Sequence, residues 1–241
     1  MWARRRAGLP LVLGHRGASA RAPENSVEAF ERARADGADG VELDVLQCAT
    51  GEVVVFHDDD LARLGGRPER IAALSFSELR SIRLASGAAI PTLDEALEAC
   101  GPSLLVNVEL KISGPLAPLV AAVAGIVERA GVTGRVLVSS FSPWAVRLWM
   151  RRAPGVPAGL LFERAAPLPF RQAWAAPLLA PFALHPEVTL CTPARVARWH
   201  ARGYMVNVWT VDDPAALRAC RDMGVDAVIS NDPAAARAAL G

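Results

Sequence analysis

The residues best suited to chemistry fall in four short clusters. Gly14-His15-Arg16-Gly17 follows a leucine-rich run, and Glu42 and Asp44 sit one residue apart in Gly40–Val45. His57-Asp58 closes a valine run, and Asn107, Glu109 and Lys111 alternate in Leu104–Lys111. On an extended strand alternate residues share a face, which places the Glu42 and Asp44 side chains about 6–7 Å apart along it. Three carboxylates, Glu42, Asp44 and Glu109, are hard oxygen donors of the kind Mg²⁺ or Ca²⁺ prefers. Two histidines, a side chain whose unperturbed pKa is about 6.5, can supply a base and an acid on opposite sides of a displacement. The charge count supports a cation. The three carboxylates carry −3 against +2 from Arg16 and Lys111, and one divalent ion turns a site of about −1 into one of about +1, which suits a singly charged phosphodiester. Together these residues read as metal-assisted phosphoryl chemistry.

Each piece alone has a plainer reading. An isolated Glu-x-Asp is more often a solvated strand face, and ions are seldom buried without partners. Asn25 reads as a helix cap, with Ser26 as the first helical residue, and Lys111 as a simple partner for Glu109. His185 and His200 read as core or surface fillers, although His185 ends a strand and is placed to line a site. The plain readings would all have to coincide in one cluster of acids, histidines and cations.

Eight apolar runs can position these residues: Leu9–Gly14, Gly40–Val45, Leu104–Leu110, Arg135–Ser139, Ala158–Leu161, Phe182–His185, Tyr204–Trp209 and Ala227–Ser230. Glu52–Phe56 adds a short ribbon after the second. Helical starts separate them: capping-box spacings at Asn25/Glu28 and Thr92/Glu95, and a cap residue before proline at Ser142, Thr192, Asp213 and Asp232. Leu119, Val123, Ile126, Val127 and Ala130 form an apolar helical face, while four prolines between Phe162 and Pro181 leave room for only a short helix. Eight strands alternating with helices over 241 residues describe a (β/α)₈ TIM barrel, read as one domain over 1–241 with a small insertion at about 58–90 over its mouth. An open doubly wound sheet would carry GxGxxG after strand one, and none is present. In a barrel the strand C-termini hold the chemistry, and the polar clusters fall at the ends of strands one to three.

Composition narrows the classes further. With 52% apolar and 21% charged residues, a sizeable core is expected. The net charge of +1, with no visible basic excess or stripe, argues against a nucleic-acid partner. Cys48, Cys100, Cys191 and Cys220 show no CxxC or CxxH spacing and read as buried hydrophobes in a reducing, cytoplasmic compartment. Ile112–Val127 is too short and too proline-interrupted to span a membrane, and Leu9–Leu13 after the basic N-terminus reads as a first strand rather than a secretory segment. Lys111 is the sole lysine among 26 basic residues.

In order and spacing, His15-Arg16-Gly17, Pro23-Glu24-Asn25-Ser26, Gly40–Val45 and His57-Asp58 resemble the glycerophosphodiester phosphodiesterases. Ile90–Leu93, Asn107–Lys111, Ser139-Ser140-Phe141, Trp209-Thr210-Val211 and Gly224-Val225-Asp226 extend the likeness over about residues 9 to 235. The resemblance implies one divalent cation, Mg²⁺ or Ca²⁺, on Glu42, Asp44 and Glu109. It also implies His15 as proton acceptor and His57 as proton donor to the leaving alcohol. Arg16 and Lys111 would hold phosphate oxygens, Phe141 and Trp209 would shape the alcohol or glycerol pocket, and Glu24 and Asn25 would stand behind the ligands. Both water and the substrate's own glycerol hydroxyl fit as nucleophile. The implied reaction releases glycerol 3-phosphate from a small-molecule glycerophosphodiester, with no stable membrane insertion. The rivals are a phospholipase-like diesterase on intact lipid and a barrel that binds phosphorylated metabolites without turnover; the latter would need no histidine pair. Two departures stand out: Arg63-Leu64-Gly65-Gly66, where the family often has an arginine followed by threonines, and Ser230-Asn231-Asp232-Pro233, where Thr-Asp-x-Pro is usual.

Overall fold

A computed structural model describes Trp2 and residues 8–241. The basic run Arg4–Arg6 lies outside the described residues. Nine strands form the sheet: β1 (Leu11–His15), β2 (Gly40–Gln47), β3 (Val53–Val55), β4 (Leu105–Leu110), β5 (Val136–Ser140), β6 (Ala158–Phe162), β7 (Ala183–Pro186), β8 (Met205–Val208) and β9 (Ala227–Ser230). All but β3 pair in parallel, and β1 bonds both β2 and β9, so eight strands close into a TIM barrel. The expected strands are all present. β3 runs antiparallel to the end of β2, Val45 facing Val55, as a ribbon outside the barrel.

Helix starts follow the local chemistry. Ser142, Thr192, Asp213 and Asp232 each accept a hydrogen bond from a first-turn backbone N–H ahead of a proline, and Thr92 with Glu95 forms a complete capping box. One cap differs from expectation. Ser26, not Asn25, caps helix Val27–Ala35, accepting from the Ala29 N–H. Asn25 is diverted because its amide bonds Asp44 across the barrel end, Nδ2 donating at 2.9 Å. The proline-rich stretch after β6 makes two single-turn helices, Leu168–Arg171 and Ala176–Leu179.

Apolar side chains divide into three groups. The main layer lies between strands and helices, with Phe30, Val108 and Trp149 fully buried. A second cluster (Leu46, Phe56, Leu61, Ile71, Leu79 and Ile90 among its members) gives the insertion its own core, so the segment from His57 to Pro91 is anchored beside the mouth. The third fills the barrel floor with Leu11, Leu13, Leu105, Leu137 and Met205. Above that floor the inward positions turn polar, because the period-two alternation carries Leu105 to Asn107 and then to Glu109 on one strand. Asn107, Ser139, His185 and Asn207 are all at 0% exposure.

Candidate active site

The acidic cluster sits at the C-terminal ends of adjacent strands. β2 and β4 are in register with Glu42 beside Asn107 and Asp44 beside Glu109. One oxygen from each of Glu42, Asp44 and Glu109 lies within 4.8 Å of the others. Crowding and burial have the expected electrical effect. Burial, with Asp44 and Glu109 nearby, raises the Glu42 carboxyl well above its usual range. Burial and Asp44 bring Glu109 up to about 7. A buried acidic cluster in which Glu42 and Glu109 hold their protons more tightly than usual is a site short of positive charge, and among the described residues the buried Glu42 Oε1 has no hydrogen-bond partner. An all-oxygen donor set with an unpartnered lone pair fits a hard divalent cation.

Two side-chain cations already lean on the cluster. Lys111 Nζ lies 2.9 Å from Glu109 Oε1 and 3.5 Å from Asp44 Oδ1, and Arg16 Nε lies 3.3 Å from Asp44 Oδ2. Burial works against the charge on Lys111, yet Glu109 and Asp44 hold its pKa above the ordinary lysine value. The Arg16 backbone N–H donates to Glu42 Oε2 at 3.1 Å. This contact demands an unusual backbone: Arg16 and Asn25 both adopt φ of 55°, and the Asn25 N–H donates to the Arg16 carbonyl at 2.9 Å. Left-handed non-glycine residues cost energy and persist where the surroundings enforce them. Gly17 makes the turn possible, since a Cβ there would come within 2.6 Å of Ala29.

Both histidines are fixed through Nδ1. His57 Nδ1 is 2.6 Å from Asp58 Oδ1 and His15 Nδ1 is 2.7 Å from Asn231 Oδ1. A carboxylate only accepts, so His57 carries its proton on Nδ1. Asn231 is oriented by Asp212, which accepts from Asn231 Nδ2 at 2.5 Å and from its backbone N–H at 2.8 Å. Its Oδ1 is thereby left to accept from His15 Nδ1–H. Each neutral ring keeps Nε2 free of a proton. His15 Nε2 lies 3.9 Å from Glu42 Oε2. Burial, followed by the Arg16 charge, lowers the His15 pKa below its ordinary value.

A cavity of about 280 Å³ gathers these groups. His15, Arg16, Glu42, His57, Glu109, Lys111, Phe141 and Trp209, all singled out in the sequence, line it. Phe141 and Trp209 meet edge to face at 5.5 Å, and Trp209 Nε1 donates to the His185 carbonyl at 2.8 Å. Asp44, Glu24 and Asn25 stand behind the wall rather than in it. Glu24 does not reach the acidic cluster. It joins Arg16 at 2.7 Å to Arg63 at 2.8 Å, and both arginines drive its carboxyl down to about 2 despite burial. Arg63 also bonds Asp58 at 2.6 Å, so one run of charges ties the insertion to His57 and to Arg16. His185 is a core residue and does not line the cavity; His200 pairs with Asp226 at 2.8 Å.

Sequence reasoning missed several participants. Leu161, Glu163 and Ile229 also line the cavity, as does Asn107, which the alternation on its strand had singled out without giving it a role. Asn231 and Asp212 were missed as supports of His15. Their only trace was the departure Ser230-Asn231-Asp232-Pro233, which puts an amide where the resemblance leads one to expect a carboxylate.

A closed parallel barrel with acids and histidines gathered at its C-terminal rim has the layout of a TIM-barrel enzyme. Residues 15–235 match the model of the glycerophosphoryl diester phosphodiesterase family, and the chain belongs to that family. It is an enzyme of the phosphoric diester hydrolase class. A Mycobacterium tuberculosis protein named "Probable glycerophosphodiester phosphodiesterase 2" is 34% identical, covering 94% of this chain and 89% of its own length. A glycerophosphodiester phosphodiesterase of Thermotoga maritima is 30% identical, with a TM-score of 0.77 over 93% of this chain and 96% of its own. An Oleispira antarctica phosphodiesterase, solved with the product sn-glycerol-3-phosphate, is 28% identical, with a TM-score of 0.87 over 97% of each chain.

Proposed function

We propose that the whole chain acts as one catalytic domain that hydrolyses small glycerophosphodiesters to glycerol 3-phosphate and an alcohol. One Mg²⁺ or Ca²⁺ on Glu42, Asp44 and Glu109 is part of this reading. When bound, the cation neutralises charge on the phosphoryl oxygens and offsets the repulsion of the acidic rim. Arg16 and Lys111 orient the remaining oxygens. His15 Nε2 takes the proton of the attacking hydroxyl. His57, protonated on Nε2 as well, gives that proton to the departing alkoxide as the phosphorus–oxygen bond breaks. Phe141 and Trp209 form the apolar wall against which the glycerol or alcohol portion rests. The observation that carries this reading is the meeting of both histidines, both cations and the acidic cluster in one cavity, each histidine with its Nδ1 occupied.

No helix among the described residues is long and apolar enough to cross a membrane. The four cysteines are free, three of them buried, which supports a cytoplasmic setting.

The test is hydrolysis of glycerophosphocholine with enzymatic detection of glycerol 3-phosphate, run before and after chelation. Product formation abolished by chelator and restored by Mg²⁺ or Ca²⁺ is expected. Activity that survives thorough chelation removes the cation from the mechanism, and no product from any glycerophosphodiester removes the reaction itself.

A further inference from the structure

The near-zero net charge conceals a segregation. Between residues 140 and 205 stand eight arginines and only two acids, Glu163 and Glu187, a surplus of six positive charges. The rest of the chain carries the five negative charges that bring the total to +1. Among the described residues none of these eight arginines forms an ion pair, whereas Arg16, Arg21, Arg32, Arg63, Arg67 and Arg80 all do.

The same sector holds most of the large apolar side chains left in solvent: Trp144 (74% exposed), Leu168, Phe170, Trp174 (60%) and Leu178 (86%). Their arrangement is ordered. On helix Pro143–Arg152 the buried side is Ala145, Val146 and Trp149, while Trp144, Arg147, Leu148 and Arg151 follow at helical spacing on the other side. That helix packs against Ala176–Leu179, which carries Leu178. Trp144 is three residues past Phe141, and Arg164 directly follows Glu163, both of which line the catalytic cavity. The aromatic and basic surface therefore begins at the mouth and continues down one flank.

We infer that this flank docks the enzyme peripherally on an anionic lipid bilayer, with the arginines on the headgroups and the tryptophans at the interface. Unpaired arginines complement anionic headgroups, each worth a severalfold gain in binding near such a surface. Indole rings favour the level of the headgroups. Single-stranded RNA could stack bases on the tryptophans, but it has no use for the exposed aliphatic Leu168 and Leu178 beside them. Docking does not require lipid as substrate; it would bring the mouth close to the membrane from which deacylated headgroups come.

Co-sedimentation tests this with vesicles of phosphatidylcholine alone and of phosphatidylcholine mixed with phosphatidylglycerol. The full chain should sediment with the anionic vesicles at low salt, be released by high salt, and stay in solution with the neutral ones. Arg147→Glu with Arg151→Glu should weaken retention by at least about tenfold. Trp144→Ala with Trp174→Ala should weaken it severalfold at unchanged net charge. Both variants should hydrolyse glycerophosphocholine in solution at the parent rate, which shows that they are folded. Failure of the parent to sediment with anionic vesicles overturns the inference, as does undiminished retention of either variant. So does single-stranded RNA binding as strong as vesicle binding, since the surface would then be a nucleic-acid or general polyanion site.

Discussion

The barrel wall from β1 to β4 and the wall from β5 to β8 are built on the same strand–helix unit but handle charge in opposite ways. The first wall puts ions inside: Glu42, Asp44, Glu109 and Lys111 project from it, with Arg16 at the adjoining turn. Most of its outer arginines are tied up in ion pairs, as in Arg32–Asp36 and Arg80–Glu95. The second wall keeps its buried interior neutral with Ser139, His185 and Asn207, admits an acid, Glu163, only at the rim, and among the described residues leaves its outer arginines without ion pairs. The lesson concerns partners. Buried charge is stable only where opposite charge or a cation compensates it, and on the first wall Arg16 and Lys111 already lean on the acids. Its companion has spent no surface charge on internal pairing and offers it outward.

The contrast can be broken most severely at the acids. Glu42→Ala or Glu109→Ala should cut turnover on the order of 10³-fold or more and abolish Mg²⁺ or Ca²⁺ binding in calorimetric titration. Ser139→Ala on the facing wall should leave both within a small factor; comparable losses at Ser139 would erase the distinction. Slightly smaller effects are expected at the histidines: His15→Ala and His57→Ala should each lower kcat by roughly 10²–10⁴-fold, and parent-like turnover in either excludes that residue as acid or base. Support of those rings comes next. Asn231→Ala and Asp58→Asn should each cost about tenfold in kcat with KM little changed, in line with the loss of an orienting hydrogen bond. A rise in KM at constant kcat would instead make these residues substrate ligands.

The neutral wall should respond in stability rather than rate. A Cβ at Gly159 would stand 2.5 Å from His185 Nε2, so Gly159→Ala should destabilise by about 1–3 kcal/mol in urea unfolding. His185 provides the pH signature. Burial lowers its pKa from 6.5 to about 3, so the native chain keeps it neutral where the unfolded chain would protonate it. Stability is accordingly lost as pH falls below about 6.5 towards 3, by up to about 1.4 kcal/mol per pH unit. Between pH 7 and pH 5 this amounts to about 2 kcal/mol, and His185→Gln should flatten that part of the profile. An unchanged slope in the variant would assign the acid sensitivity to other groups.

Much of the site was legible because its parts are local. Glu42/Asp44 and Asn107/Glu109/Lys111 announce themselves by alternation, which fixes a shared face wherever the strand ends up. Strand and helix order was readable for the same reason, since β-branched runs, capping residues and prolines act over a few positions. The Asn25 cap was misplaced by one residue because a local rule met a distant competitor. Ser26 and Asn25 are equally good caps on paper, and Asp44, nineteen positions away, took Asn25.

What the chain alone determined was the inventory: an alternating α/β plan, a set of oxygen donors suited to a hard cation, and two histidines. Only the closed barrel decided which neighbours those residues would have. Asn231 meets His15 across 216 positions because β9 pairs with β1, and Glu24 links Arg16 to Arg63 because the anchored insertion comes back to the rim. The reason is that a side chain's type and direction are set by its own backbone, whereas tautomer, proton affinity and unmet charge depend on what ring closure places within a few ångströms.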